Sequence, residues 1–190
     1  MELLEKSIKE KGKVLSGNVL KVGSFLNNQI DIRLATAMGK EILEHFKDKR
    51  INKILTIEAS GIAIACITAQ FFDCNVVFAN KNKTANVTGD VYSSKAFSFT
   101  HNTTNTILVT KEYLSEKDNV LLLDDFLANG EAINALMDIV EQSGASLKGV
   151  AIEIEKGFQG AGDKLREQGV DLFSLAVIDK MDENEIVFRT

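Results

Sequence analysis

The sequence predicts an α/β fold with a doubly wound, mostly parallel sheet. Short apolar runs alternate with segments of helical periodicity along most of the chain, as they do in parallel βαβ units. Polar and acidic residues follow two of the apolar runs, where open α/β sheets bind ligands. Neither a linker nor an internal repeat interrupts the pattern, so we expect a single domain over residues 1–190.

Helices are predicted where apolar residues recur every three or four positions. The clearest case starts near Gln29 or Ile30. Its apolar positions are spaced by four residues: Ile30, Leu34, Met38, Ile42 and Phe46. The helix at 62–72 is apolar nearly all round, which predicts that it is buried. The other predicted helices span 2–11, 130–142 and 161–168.

Strands are predicted at short apolar runs bounded by polar or turn residues. Residues 85–105 are instead rich in Thr, Ser, Asn and Lys, with few residues suited to anchoring in a core. Two extended arms, at about 90–100 and 104–112, are expected to pair as a projecting, flexible hairpin. The other predicted strands span 54–57, 76–78, 119–124, 147–155, 172–179 and 185–189.

Composition excludes several classes of function. The net charge of −5 disfavours nucleic acid held by diffuse attraction. No apolar run approaches the ~20 residues of a membrane span, and the N-terminus lacks the apolar core of a signal peptide. With two cysteines and two histidines in the chain, a disulfide framework or a His/Cys metal cluster is not expected. We therefore expect a soluble cytoplasmic protein with no nucleic-acid or membrane partner.

Asp124 and Asp125 directly follow a run of three leucines, and a short loop with Asn129 and Gly130 leads into the next helix. Adjacent acids at such a place can serve only as caps or as partners of the helix dipole. The surroundings favour a larger role, because a helix start offers free N–H groups to a phosphate. Carboxylates also suit sugar hydroxyls or a hydrated divalent cation. Together these features predict a sugar-phosphate site.

This segment resembles the signature of the type I phosphoribosyltransferases, in which a hydrophobic strand, two acids and a short glycine-containing loop precede a helix. The resemblance implies the fold of that family, with Asp124 and Asp125 as catalytic residues that hold the ribose hydroxyls of phosphoribosyl pyrophosphate. It also implies that backbone amides of the loop bind the phosphate of this donor. The family usually has threonines at two loop positions where this chain has Asn and Ala, so the backbone would carry more of the binding. The loop residues are Ala128, Asn129, Gly130, Glu131 and Ala132.

Two further segments are implied to bind the pyrophosphate. A strand-to-helix turn that includes Ala59, Ser60 and Gly61 resembles the pyrophosphate loop of adenine-type members, with Ser60 in place of their usual arginine. The alternative is an ordinary turn in which Gly61 serves only the backbone geometry. Lys81 and Lys83 match a basic segment that contacts pyrophosphate in the family, although a solvated lysine pair would look the same.

Lys156 and Phe158 are implied to bind the base. Most lysines at strand ends are only surface charges, but purine-using members have a base-recognising group at this position. Phe158 could stack on a purine ring. A cation at 156 favours oxo-purines, whose carbonyl oxygens accept hydrogen bonds, over adenine. The glycines that follow, Gly157, Gly160 and Gly162, do not have the spacing of a Rossmann fingerprint and are interpreted as loop flexibility.

The segment before the long helix has two interpretations. It could be a simple approach to that helix, with Asn27 or Asn28 as the cap. It also resembles the base-covering region of bacterial family members that use xanthine, in which Leu20 and Asn27 would contact the base beside Lys156. The resemblance spans nearly the whole chain. It implies that residues 1–28, with part of the C-terminus, form a small hood over the base.

The implied reaction transfers phosphoribosyl from phosphoribosyl pyrophosphate to xanthine, giving xanthosine monophosphate and pyrophosphate, a step of purine salvage. Mg²⁺ would be bound mainly through the pyrophosphate, without an assigned protein ligand. The hairpin would close as a lid, and a homodimer is the usual state of the family. Two alternatives stay open: a non-catalytic purine-responsive regulator of the same fold, and a transferase that prefers guanine, hypoxanthine, adenine or orotate. The acidic chain disfavours the DNA binding that a regulator would need.

Overall fold

The computed structural model describes residues 1–16, 18–82, 89–98, 103–182 and 184–189. The helices are α1 (Glu2–Lys11), α2 (Ile32–Phe46), α3 (Gly61–Phe72), α4 (Glu131–Ser143) and α5 (Ala161–Glu167). The strands of the main sheet are β3 (Lys53–Ile57), β4 (Asn75–Lys81), β5 (Val91–Ser98), β6 (Thr103–Thr110), β7 (Asn119–Leu127), β8 (Ser146–Lys156), β9 (Leu172–Met181) and β10 (Ile186–Phe188). Two short strands near the N-terminus, β1 (Lys13–Leu15) and β2 (Val19–Lys21), form a separate hairpin.

The main sheet has the order β10-β9-β8-β7-β3-β4-β6-β5. Its five central strands, β9 to β4 in that order, are parallel, and the strands at both edges are antiparallel. The predicted mostly parallel α/β fold is confirmed. Strands β7 and β8 are buried along most of their length, and in β7 this burial accounts for the continuous apolar run at 120–123.

Two clusters of buried side chains flank the sheet. One includes side chains of α1, α2 and α3, and the other includes those of α4, α5 and the β5–β6 hairpin. The N-terminal ammonium group donates a hydrogen bond to the carbonyl oxygen of Leu175, so α1 is fastened to β9. Among the described residues, no helix is both long enough and apolar enough to cross a membrane.

Helix α2 begins later than predicted. The carboxylate of Asp31 accepts hydrogen bonds from the N–H groups of Arg33 (3.1 Å) and Leu34 (3.2 Å), so Asp31 is the N-cap. The predicted start at Gln29 or Ile30 was therefore wrong, and so was a cap by Asn27 or Asn28. The four-residue spacing had continued one position beyond the helix, to a side chain that lies outside it.

The predicted hairpin is present, with β5 paired to β6 from Val91 and Thr110 to Ser98 and Thr103. It does not project freely, because β6 also pairs with β4 and extends the sheet. Among the described residues of 85–105 only Ala96 is buried, in agreement with the expectation that few of them anchor in a core, whereas Ile107 and Val109, further along β6, are buried in the second cluster. Residues 83–88 and 99–102, with Lys83 among them, lie outside the described residues, so the predicted flexibility stays a prediction.

Helix α3 is less buried than predicted. Ile64, Ala65, Thr68 and Ala69 are buried, whereas Cys66 and Gln70 are exposed. The buried positions recur with helical spacing, so one face packs on the sheet and the opposite face reaches the surface. Apolar character all round the helix therefore did not mean burial all round.

Candidate active site

The two predicted catalytic acids lie inside β7 rather than after it, because the strand continues to Leu127. Both side chains are buried. Asp124 accepts a hydrogen bond from the N–H of Asp125 (3.0 Å), and Asp125 accepts one from the N–H of Phe126 (3.1 Å). Burial, and next the charge of Asp125, raises the pKa of Asp124 well above its usual range. The pair therefore resists carrying two full charges.

A third carboxyl group, Glu153, lies beside this pair and was missed by the sequence analysis. Asp124 is in register with Ile152 and Phe126 with Ile154, so Asp125 and Glu153 are neighbours on adjacent strands. Glu153 is 3% exposed, and burial, followed by the charges of Asp125 and Asp124, raises its pKa well above the usual range. The sequence did contain a signal for this residue, because Glu153 stands between two isoleucines in a strand that was predicted to be buried.

Replacing Glu153 by Gln is expected to stabilise the protein at neutral pH. Because folding raises the pKa of this carboxyl group, its contribution to stability is present below the unfolded value of 4.5 and is lost as the pH rises through the folded value. Gln cannot ionise, so E153Q should exceed the wild type in unfolding free energy by about 1 kcal/mol at pH 8 and by less at pH 5. Urea unfolding at both pH values measures this. The exposed Glu112→Gln is the matched control, and an E153Q protein less stable than the wild type at pH 8 would contradict the expectation.

The predicted phosphate loop lines a cavity of about 230 Å³ at the start of α4. Gly130 precedes the helix with φ 85°, in the left-handed region that favours glycine. No side chain caps the N-terminus of α4 with a hydrogen bond in the described structure. The wall opposite the loop includes Lys81 at the end of β4 and Phe97 and Asn105 on the hairpin. The loop, a cation and the hairpin thus surround one concave space, and Ala128, Asn129, Glu131 and Ala132 contribute to its lining.

Glu131 joins the hairpin to the loop. Its carboxylate accepts a hydrogen bond from the N–H of Phe97 (3.3 Å). One residue before the end of α4, the side chain of Gln142 donates to the carbonyl oxygen of Ser93 (2.9 Å) and accepts from its N–H (3.3 Å). Two side chains of α4 therefore hold β5, and the position of the hairpin is set by the helix that begins at the loop.

The turn at residues 58–61 meets the acids through Gly61. A Cβ on this residue would lie 2.2 Å from Oγ1 of Thr56 and 3.1 Å from Oδ1 of Asp124, so only glycine fits. The carboxylate of Glu58 accepts hydrogen bonds from the side chain of Asn80 (3.1 Å) and the N–H of Lys81. The peptide bond between Glu58 and Ala59 is cis. The turn is thus tied both to β7 and to the end of β4.

Two predicted base-side residues contact the interior of the site. The side-chain amide of Asn27 donates a hydrogen bond to Asp125 Oδ2 (3.2 Å). The ammonium group of half-buried Lys156 donates to the carbonyl oxygen of Asn18 (2.9 Å) and lies 5.7 Å from the centre of the Phe126 ring. Burial lowers the pKa of Lys156. Residues of the N-terminal segment therefore lie over the carboxyl ends of both β7 and β8.

The remaining predicted site residues are connected less directly to the two acids. The side chain of Leu20 is buried in the first core cluster, where it also has a packing role. Phe158 lies in the short turn Gly157–Gln159 directly after Lys156 and is 37% exposed. Ala59 is exposed and Ser60 half-buried in the turn before α3.

The two acids have only part of the character of a metal site. No cluster of three His, Cys, Asp or Glu side chains is arranged to hold a metal within the described ranges. The two adjacent carboxylates nevertheless provide the hard oxygen donors that Mg²⁺ prefers. The arrangement fits a cation that arrives with oxygen ligands of its own.

Comparison with known proteins identifies the family. Residues 21–187 match the family described as "Phosphoribosyl transferase domain". A xanthine phosphoribosyltransferase of Ruminiclostridium cellulolyticum is 52% identical over 188 residues, which cover 99% of each chain. A xanthine phosphoribosyltransferase of Bifidobacterium animalis subsp. lactis is 53% identical over 183 residues, 96% of this chain and 95% of the relative.

Solved structures agree on the fold. An APRTase from Giardia lamblia superimposes with a TM-score of 0.76 at 23% identity, covering 92% of this chain and 96% of the other. An adenine phosphoribosyltransferase from Leishmania tarentolae also gives 0.76, at 18% identity, covering 95% and 89%. At these identities the likeness concerns the fold alone.

Proposed function

The chain belongs to the phosphoribosyltransferase family, and from this membership we propose that it transfers phosphoribosyl from phosphoribosyl pyrophosphate to xanthine. The products are xanthosine monophosphate and pyrophosphate, so the reaction is a purine-salvage step. Relatives about half identical over the full chain carry the name of this activity. The adenine phosphoribosyltransferase structures named above are less than 25% identical to this chain, so they bear on the fold and not on the choice of base.

The observation that carries the proposal is the hydrogen bond between Asn27 and Asp125. Asn27 is a candidate base contact, and Asp125 is a candidate contact of the ribose. The bond spans 98 positions of sequence and brings the two proposed half-sites to one point. A reaction that joins a base to a ribose carbon needs this proximity, because holding two reactants in the right geometry removes much of the barrier.

The donor would occupy the space between the phosphate loop and the acids. Backbone N–H groups at the start of α4 would bind its 5′-phosphate. Asp124 and Asp125 would hold the ribose hydroxyls, and the negative charge of the pair would favour the cationic character that develops at the anomeric carbon. The turn that holds Gly61, together with Lys81, would face the pyrophosphate that leaves.

The proposal includes Mg²⁺ that the donor's oxygens bring to the site. When bound, this cation would offset the negative charge that develops on the leaving pyrophosphate. The hard carboxylate oxygens of Asp124 and Asp125 would help to hold it beside the oxygens of the donor.

The base would lie beneath residues 1–28, which with the C-terminal residues form the proposed hood. Lys156 would donate to a carbonyl oxygen of an oxo-purine, and Leu20, Asn27 and Phe158 would complete the base contacts. Xanthine suits this cation better than adenine does, because the exocyclic amine of adenine is itself a donor. A homodimer in the cytoplasm completes the proposal.

The decisive experiment is a panel of bases incubated with phosphoribosyl pyrophosphate and Mg²⁺, with the nucleotide product quantified for each. We expect xanthine to be converted most efficiently, with guanine and hypoxanthine behind it and adenine and orotate poorest. Efficient conversion of adenine alone would overturn the choice of base. If no base yields a nucleotide, a non-catalytic regulator of the same fold becomes the better interpretation.

Lys156→Met is expected to lower kcat/KM for xanthine by roughly 10- to 100-fold, because a hydrogen bond to a charged group contributes about 1.5–3 kcal/mol. The KM for phosphoribosyl pyrophosphate should change little. The matched control is Lys148→Met, which removes a lysine near the opposite end of the same strand. Steady-state kinetics with each substrate varied in turn measures the effect. Equal losses in the two variants would remove Lys156 from the base site.

A further inference from the structure

The segment that carries two of the proposed base contacts is held in place by several polar contacts. This base-side segment, residues 156–158, leaves the carboxyl end of β8 as a short turn. Gly157 lies between Lys156 and Phe158, so any shift of its backbone moves both side chains together. The contacts made just before it and against it decide how precisely the segment is placed.

Before the segment, Glu155 is 0% exposed and fully paired. Arg166 of α5 donates to both of its carboxylate oxygens, at 2.9 and 2.7 Å, and the hydroxyl group of Ser174 donates to one of them. A Cβ on Gly162 would lie 2.0 Å from Oε1 of Glu155, so α5 lies directly over the carboxylate. Gly162 therefore provides space for Glu155, and its interpretation as loop flexibility was wrong.

From Arg166 the ionic contacts continue to the C-terminal end of the chain. Its guanidinium group also contacts Asp163 (3.3 Å), and Asp163 accepts a hydrogen bond from Arg189 (2.8 Å). Arg189 donates from Nε and Nη2 to Asp179, at 3.0 and 2.8 Å, and its backbone N–H donates to Val177 of β9. We call the side chains of Glu155, Arg166, Asp163, Arg189 and Asp179 the C-terminal charge cluster.

The far end of this cluster returns to the base-side segment. A Cβ on Gly157 would lie 2.7 Å from Oδ1 of Asp179 and 2.9 Å from Nη2 of Arg189. The Asp179–Arg189 ion pair therefore packs against the backbone of Gly157. Gly157 thus serves a close approach rather than flexibility, which corrects the earlier interpretation. The cluster therefore holds the segment at two points, because Glu155 directly precedes it in the chain and the Asp179–Arg189 ion pair packs against its middle residue.

We propose that Arg189 is a positioning residue for base recognition, which fixes Lys156 and Phe158 by holding Asp179 against Gly157. This inference rests on the proposed function, and it assigns a role to a residue that touches neither substrate. Arg189 and its two acidic partners are substantially exposed, and exposed ion pairs contribute little to stability. Losing Arg189 should therefore disturb the placement of the segment more than it disturbs folding.

Geometry, rather than charge alone, is what the cluster requires of Arg189. Its planar guanidinium group donates to Asp179 and Asp163 at once, and the single ammonium group of lysine cannot reproduce this fork. Arg189→Lys should therefore behave like Arg189→Ala rather than like the wild type. Rescue by lysine would mean that only a positive charge is needed at this position.

The test compares R189A, R189K and the wild type in steady-state assays, with xanthine and phosphoribosyl pyrophosphate varied separately. We expect KM for xanthine to rise roughly tenfold in both variants, below the ~100-fold that a displacement of 1 Å can cost. KM for phosphoribosyl pyrophosphate should stay within about twofold, since the ion-pair partners of Arg189 are Asp163 on α5 and Asp179 on β9, and neither is a proposed donor contact. Lys180→Ala is the matched control, because it removes exposed ion pairs with Asp182 and Glu185 in the same C-terminal hairpin.

Each outcome decides between the two proposals. An unchanged KM for xanthine in R189A overturns the positioning role and leaves the proposed function intact. A lower melting temperature with a parallel rise in KM for both substrates also overturns it, because a purely structural residue would affect the two substrates alike. A wild-type protein that converts no base overturns both the proposed function and the role that rests on it.

Discussion

Replacing Asp124 or Asp125 by Asn is expected to lower turnover at least about 100-fold, the scale of losing one electrostatic contributor in a preorganised site. Each substitution keeps the shape of the side chain and replaces a carboxylate oxygen, which would accept from a ribose hydroxyl, by an amide group that donates. Asp125→Asn also weakens the bond that Asn27 now makes to a carboxylate oxygen. Quantifying xanthosine monophosphate at saturating concentrations of both substrates measures the loss.

Stability data separate this loss from unfolding. The pKa of Asp124 is raised by burial and by the charge of Asp125, so a neutral side chain at position 124 should fold at least as well as the carboxylate. We therefore expect D124N to be inactive but no less stable than the wild type. Asp138→Asn, at an exposed position of α4, is the control and should retain full turnover. Near-normal nucleotide formation by both D124N and D125N would remove the acids from the catalytic centre.

Gly61→Ala should be the most damaging single methyl group that can be added to the site. The new Cβ would lie 2.2 Å from Oγ1 of buried Thr56, so the turn or the strand must shift. Overpacking of this kind costs about 1–3 kcal/mol of unfolding free energy. The next closest atom to the new Cβ would be Oδ1 of Asp124, at 3.1 Å. We therefore expect turnover to fall as well.

A double variant tests the cause of this effect. Thr56→Ala removes the hydroxyl group in the way, and the Cβ atoms of residues 56 and 61 would then be 3.5 Å apart, an ordinary contact. T56A/G61A should therefore be more stable than G61A, whereas independent effects would add. T56A alone should cost little, because Oγ1 of Thr56 has no hydrogen-bond partner within the described structure. If the double variant is no more stable than G61A, the clash is not the reason that glycine is required at position 61.

Most of the fold could be predicted because its central strands are buried on both faces and its helices are periodic. The short strands β1 and β2, of three residues each, are too brief to carry a periodic signal and were missed. The start of α2 was misplaced because the hydrophobic spacing continued one position beyond the helix. There the capping carboxylate of Asp31, rather than periodicity, decides where the helix begins.

The site was predictable where its parts are local in sequence. The two aspartates and the loop after them occupy one continuous segment, so they could be predicted together as a candidate site. Glu153 was missed because it becomes a neighbour of Asp125 only through the register of β7 with β8. The contact between Asn27 and Asp125 also depends on the tertiary fold. For Gly162, the sequence gives no sign that a buried carboxylate fills the space of its missing side chain.

The hydrogen bonds between side chains of α4 and the backbone of β5 have a consequence for solubility. β5 is the last strand of the sheet, and an uncovered edge strand is a template on which another chain can add a strand and aggregate. Gln142 occupies both backbone groups of Ser93, and Glu131 occupies the N–H of Phe97. Along this edge, side chains from a helix therefore fill positions that a foreign strand would need. Helix α4 therefore leaves fewer backbone groups of this edge strand available to another chain.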